Sequence, residues 1–181
     1  MDLFHPLNIE KSVRKRRLIY KLTFKLVLDY MGYFFIGILL YGVCFILAHV
    51  LFEHTNVPSL IIKLFNGLLT IWIIADVLFY SLTVKLTGRD KGRNKKALND
   101  ILNAKYKRLT RLSATNDMMR YKQEPKIGGS IYLITCLFDN DEAFINITSL
   151  GKGSGFLPFN GLFNYLQSRR IAKTFSNYKF D

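Results

Sequence analysis

Histidine and cysteine are scarce in this chain, and where the few copies fall excludes most of the chemistry that depends on them. The 181 residues hold three histidines, His5, His49 and His54, all in the N-terminal third. The C-terminal half therefore has no imidazole for base catalysis or metal ligation. The two cysteines, Cys44 and Cys136, lie far apart, with no CxxC pair and no disulfide framework; both read as small buried hydrophobes. No Ser-His-Asp or Cys-His set can be assembled beyond the first third, so the chain reads as non-catalytic, with no cofactor and no metal. Acidic residues are also few, 13 against 26 Lys and Arg, for a net charge of +13.

Half of the residues are nonetheless hydrophobic, and segregation explains the pairing. The apolar residues gather in two blocks and the cations lie outside them. Met31 to Phe52 carries no formal charge apart from a proton on His49; at ~1.5 Å per residue it reaches ~33 Å, enough to cross a bilayer core. Leu64 to Val84 is a second block with a single formal charge, Asp76. The first block is too long, and too far from the start, for a cleaved signal peptide. The short link between the blocks, with Pro58, makes the two helices antiparallel.

Lys and Arg crowd both outer flanks, from Lys11 to Lys25 and from Lys85 to Arg111, whereas the link has only Lys63. By the positive-inside rule both termini face the cytoplasm. The expected fold class is thus a membrane α-helical hairpin of two spans, N-in and C-in, followed by a small cytoplasmic α+β domain. Four regions follow: a basic amphipathic interfacial segment over 1–30, the hairpin over 31–87, a basic helical linker over 88–117 and a strand-rich domain over 118–181. Leu18, Leu22 and Leu26 recur at helical spacing among the cations of 11–30, which predicts an interfacial helix.

Asp76 stands nine residues before Lys85, ~13 Å inside the helix end and so near mid-bilayer, where a bare carboxylate is costly. Either it stays protonated and bonds Tyr41 or Thr70 within the hairpin, or it meets another protomer or lines a polar path through an oligomer. The cations nearest the spans, Arg14, Lys15, Arg16, Arg17, Lys85, Arg89, Lys95 and Lys96, predict contact with anionic headgroups, or with nucleic acid. Few aromatics interleave with them, which weakens the nucleic-acid case.

In the linker, Ala97, Ile101, Leu102, Lys105 and Leu109 suggest a helix with one thin apolar stripe. Beyond Pro125 the pattern changes to strands: 128–138 and 142–150 form a hairpin about the turn DNDE. FLPF suggests a short third strand and the tail SNYKF an edge strand. Asn160 caps a closing helix with Leu162, Phe163, Leu166 and Ile171 on one side. Gly151, Lys152 and Gly153, in GKGSG, form a plain turn or an anion contact through backbone amides; the Walker spacing is missing. Asn146-Ile-Thr148 matches a glycosylation acceptor by chance, since the topology puts it inside.

Two spans with both ends inside and a small strand-rich domain resemble, as a layout, the two-transmembrane effectors of bacterial anti-phage defence, retron-associated or cyclic-nucleotide-triggered. No motif carries the likeness, and the strands number about half of those in an eight-stranded barrel, which favours the retron type. The resemblance implies an oligomer in the bacterial inner membrane that permeabilises it in abortive infection. Its trigger would be a cytoplasmic protein–nucleic acid complex. The alternatives are a non-catalytic accessory or assembly subunit of a larger membrane complex, and a regulator that recruits a soluble partner to anionic lipid.

Overall fold

The computed structural model describes residues 6–53, 61, 63, 64, 66–68, 70, 71, 82–86, 89–124, 130–150 and 160–178. Its elements in chain order are α1 (Ile9–Arg14), α2 (Phe24–Glu53), β1 (Thr83–Leu86), α3 (Lys91–Lys105), β2 (Leu109–Ala114), β3 (Met118–Gln123), β4 (Ile131–Asp139), β5 (Glu142–Leu150) and α4 (Gly161–Ser176). The strands form one antiparallel sheet in the order β1-β5-β4-β3-β2. Together these elements make a small α+β domain with one long apolar helix attached.

The expected β4–β5 hairpin is present, and its turn has a local cause: Asn140 adopts φ 46°, a left-handed conformation that asparagine tolerates better than most residues. Both strands are buried along nearly their whole length because the sheet is covered on both faces. Successive side chains point to opposite sides. On one side Tyr121, Ile134, Cys136, Phe138, Ala143, Ile145 and Ile147 meet Ala97, Leu98, Ile101 and Leu102 of α3 and Ile171, Ala172 and Phe175 of α4. On the other, Leu133, Leu137, Phe144 and Leu150 meet Leu7, Leu18, Leu26 and Leu82.

Several expectations are corrected. The helix expected in the linker over 88–117 is present as α3, with Ala97, Ile101 and Leu102 buried, but the segment goes on into edge strand β2 and both elements are integral to the domain. Leu98 joins the stripe, and the helix starts on the carboxylate of Asp90, which accepts from the Arg93 amide at 2.9 Å. Strand β2 was obscured because an edge strand needs little apolar surface and a register shift between Arg111 and Ser113 interrupts its alternation. Val84 and Lys85, expected at the end of the second span, belong to β1, where they pair with Phe144 and Ala143. The short strand TVKL, which overlaps the end of a membrane-like block, cannot be separated from it by hydropathy alone; an open edge of β5 decides the matter.

The segment 11–30 is likewise not one helix. Helix α1 ends at Arg14, Arg16 takes φ 50°, and the chain doubles back so that Leu7 bridges Tyr20. Buried Ser12 ties this strap: its hydroxyl donates to the Asn8 carbonyl at 2.6 Å and accepts from the Ile19 amide at 2.9 Å. The strap buries Leu7 and Leu18 on the sheet, and that tertiary gain overrides local helical preference.

The closing helix also turns differently from expectation. Of the four residues placed on its inner side only Ile171 is buried; Leu162, Phe163 and Leu166 are 41, 58 and 42% exposed. The inner face is Asn164, Ser168, Ile171, Ala172 and Phe175. Its two polar members are satisfied: Ser149 Oγ donates to Asn164 Oδ1 at 2.8 Å and Ser168 Oγ to the Asn164 carbonyl at 2.9 Å. Asn160 precedes the helix without a side-chain cap bond. The expected FLPF strand lies outside the described residues. The tail is an end of α4 at Ser176, then Asn177 and Tyr178, with residues 179–181 outside the description.

A buried hydroxyl provides a test of this packing. Tyr121 donates to Asn99 Oδ1 of α3 at 2.9 Å. Replacing Tyr121 by Phe is expected to lower stability by about 1 kcal/mol, read as an earlier guanidinium midpoint with unchanged slope.

Candidate functional site

Two ends of the sheet can be told apart, and the apolar helix identifies one of them. Helix α2 contacts the domain at Leu26, which packs with Leu133, Leu150, Ile131 and Tyr20. Among its described side chains Leu26 is the only buried hydrophobic one; Phe34, Phe35, Ile38 and Ile46 are more than half exposed. Phe24–Leu47 is long and apolar enough to cross a membrane by length and composition, with mean hydropathy 2.0. It is the one such helix among the described residues.

Strand β1 begins beside Ile145 and runs toward Glu142, away from the Leu150 end where α2 is rooted. Helix α4 starts at the Leu150 end, since Asn164 in its first turn holds Ser149. The departure of α2 and the start of α4 thus share the Ile131/Leu150 end, whereas Leu82 packs with Leu137 and Phe144 and donates its amide to the Arg16 carbonyl at 2.9 Å. The β4–β5 turn marks the far end; Leu133 and Leu137 alone are ~13 Å apart along β4 at ~3.3 Å per residue.

Between the two apolar clusters under the strap lies a polar row. Arg120, Thr135 and Asn146 are direct cross-strand neighbours, 7, 0 and 3% exposed. Thr148, also buried, donates to Asn146 Oδ1 at 2.9 Å. Tyr20 of the strap lies over this row, close to Thr148 and within the field of Arg120. The buried Asn146 and Thr148 leave no room for a glycan. Holding a guanidinium under the strap costs desolvation free energy, so the strap is seated less firmly than an all-apolar interface would seat it. Chemically the row can position the strap and, through Leu26 six residues on, the root of α2.

Burial pushes the phenols of Tyr20, Tyr106 and Tyr121 and the thiol of Cys136 up to about 12; the Arg120 charge partly offsets the effect at Tyr20. These groups favour their neutral forms in the fold. Their contribution is complete below the ordinary values of 10.0 for tyrosine and 9.0 for cysteine and is lost as pH rises toward about 12. The domain is therefore expected to unfold cooperatively in alkali. Tyrosinate absorbance should rise together with the loss of circular dichroism; a smooth titration that precedes unfolding would contradict the packing.

The residues expected from sequence are scattered. Asp76 and the turn Gly151, Lys152, Gly153 lie outside the described residues. Tyr41 is half-buried on α2, its ring 6.5 Å from Phe45. Thr70 lies in helical chain, and its hydroxyl donates to the Asn66 carbonyl at 2.8 Å. The cations split. Arg14 lines a cavity of about 560 Å³ with Lys91, Asp117 and Asp139 at the far end, and Arg16 reaches Glu142 of the far turn at 3.5 Å. Lys15 and Arg17 are exposed beside them. Lys85 pairs within β1.

Arg89 donates to the Tyr178 carbonyl at 3.5 Å, and Lys95 to the Thr115 carbonyl at 2.9 Å while lying 6.0 Å from the Phe138 ring. Lys96 is exposed. Several of these cations are thus spent on the domain's own structure or lie at the end away from α2.

Sequence reasoning missed three exposed cations on the outer face of α4: Arg169, Arg170 and Lys173. Their signal was available in the run SRRIAK, once the inner face of that helix is drawn through Asn164 and Ser168. Comparison of the chain with protein-family models, with curated proteins and with solved structures finds no match.

Proposed function

We propose that the protein is a non-catalytic effector of the bacterial inner membrane, of the anti-phage type. It crosses the bilayer twice with both termini inside, assembles into oligomers, and permeabilises the membrane when its cytoplasmic domain receives a trigger. The observation that carries the reading is mechanical. Leu26, at the root of α2, and Leu82, where the chain returns, both seat on the strap-covered face of one sheet. A trigger that displaces the strap would therefore act on both roots at once.

The exposed apolar surface of α2 supports the same reading, because a surface of that extent requires lipid or a protein partner. A Cβ added at Gly32, Gly37 or Gly42 would meet nothing within 4 Å, so these positions are open to a helix from another copy. The buried Arg120 lowers the cost of lifting the strap, as a two-state element requires.

The test is an exchange of the spans. The native chain, induced in bacteria, is expected to admit an impermeant dye and arrest growth. The same domain on an unrelated two-span hairpin, at equal membrane abundance, is expected to do neither. If the exchanged chain retains full activity, the protein recruits a partner to the membrane; if the native chain is harmless under phage challenge as well as on induction, the effector reading is wrong.

A further inference from the structure

The outer face of α4 is divided along its length. Leu162, Phe163 and Leu166 stand exposed in its first half and Arg169, Arg170 and Lys173 in its second. All six lie on the side opposite the buried Asn164, Ser168, Ile171, Ala172 and Phe175. The apolar half is the one nearest the end where α2 departs, because Asn164 is bonded to Ser149 there. The basic half borders a groove of about 370 Å³ whose other wall is Thr83, the first residue of β1.

No acidic residue occurs between Glu142 and Asp181, and none of the three cations forms a salt bridge with a described residue. Lys105, close enough to feel Arg170, is held below the usual lysine value by burial and then by that charge. The positive field here is not paired by any acidic side chain among the described residues.

We propose that this face docks on the bilayer: Arg169, Arg170 and Lys173 bind the phosphates of anionic phospholipids in the groove against Thr83, and Leu162, Phe163 and Leu166 enter the acyl boundary. The inference rests on the membrane reading above and deepens it, since it gives the domain a second attachment besides the roots at Leu26 and Leu82. Charge complementarity and position select the occupant. From Leu162 to Arg169 the helix advances ~10 Å at ~1.5 Å per residue, the depth that separates an acyl boundary from its phosphates. A nucleic acid would match the cations but would leave the Leu162 and Leu166 side chains without a role.

The test uses the full chain, with Cys44→Ala and Phe163→Cys, in nanodiscs of phosphatidylcholine with or without phosphatidylglycerol. An impermeant maleimide reports exposure of position 163. A second chain, with Cys44→Ala and Asn140→Cys in the far turn, serves as the control. Labelling at 163 is expected to be about 10- to 100-fold slower in the anionic discs, and the change Arg169→Gln, Arg170→Gln, Lys173→Gln should return it to the zwitterionic rate. Labelling at 140 should be equal throughout.

Equal rates at 163 in both discs would overturn the proposal while the chain stays embedded, which separates this failure from failure of the membrane reading, in which alkaline carbonate would extract the chain. Protection at 163 by polyuridine in zwitterionic discs, and not by anionic lipid, would assign the face to nucleic acid and overturn it as well.

Discussion

Truncating Phe144 to alanine is expected to destabilise the domain by about 3–5 kcal/mol and to free the N-terminal strap. Phe144 is fully buried where Leu7 and Leu18 of the strap meet Leu82 and Leu137. Its loss leaves a cavity shared by three separate segments, which cannot all close upon it. The exposed basic run Arg14 to Arg17 then becomes a direct readout, since trypsin should cut there much sooner than in the native chain. Phe175→Ala, on the helical face, removes a comparable side chain from the other core and should cost a similar amount while the strap stays protected at matched denaturant. If both variants expose the run equally, the strap is not held by the face on which it lies.

Replacing Asp76 by leucine is expected to abolish dye entry and growth arrest, with the chain still in the membrane at native abundance. On the two-span reading Asp76 sits near mid-bilayer, where a carboxyl group costs a few kcal/mol unless helices or water surround it. Leucine removes that cost and with it the reason to assemble or to hold a polar path. Asp76→Asn separates the two roles left open by the sequence. It should preserve activity if the side chain only bonds Tyr41 or Thr70, and abolish it if the negative charge lines a path. An Asp76→Leu chain as toxic as the native one would remove this residue from the mechanism.

Thr70 bears on that choice. Its hydroxyl already donates to the Asn66 carbonyl one turn earlier, so it can accept from a protonated Asp76 but has no second proton to give. Tyr41 has no hydrogen-bond partner among the described residues, keeps both capacities with respect to them, and is the stronger candidate for a bond within the hairpin.

What could be read from the chain alone follows from local rules. A long uncharged apolar run must be a helix of membrane length, because its backbone has to satisfy itself wherever water is excluded. Alternating Ile, Tyr, Leu and Thr around DNDE must be a hairpin, because side chains of period two need a covered sheet to bury them. Cys136 was legible as a buried hydrophobe for the same reason.

The tertiary structure decided everything that depends on an open edge or a second surface. Strand β1 exists because β5 offers unpaired backbone groups to Thr83–Leu86, a demand invisible in those four residues. The strap folds back because Leu7 and Leu18 find a sheet face that the sequence does not advertise. Helix α4 turns Asn164 and Ser168 inward and Leu162, Phe163 and Leu166 outward because Ser149 supplies the matching hydroxyl. Polarity predicts burial only while partners are unknown; once a buried donor is in place, an asparagine can occupy the core and release a leucine to the surface.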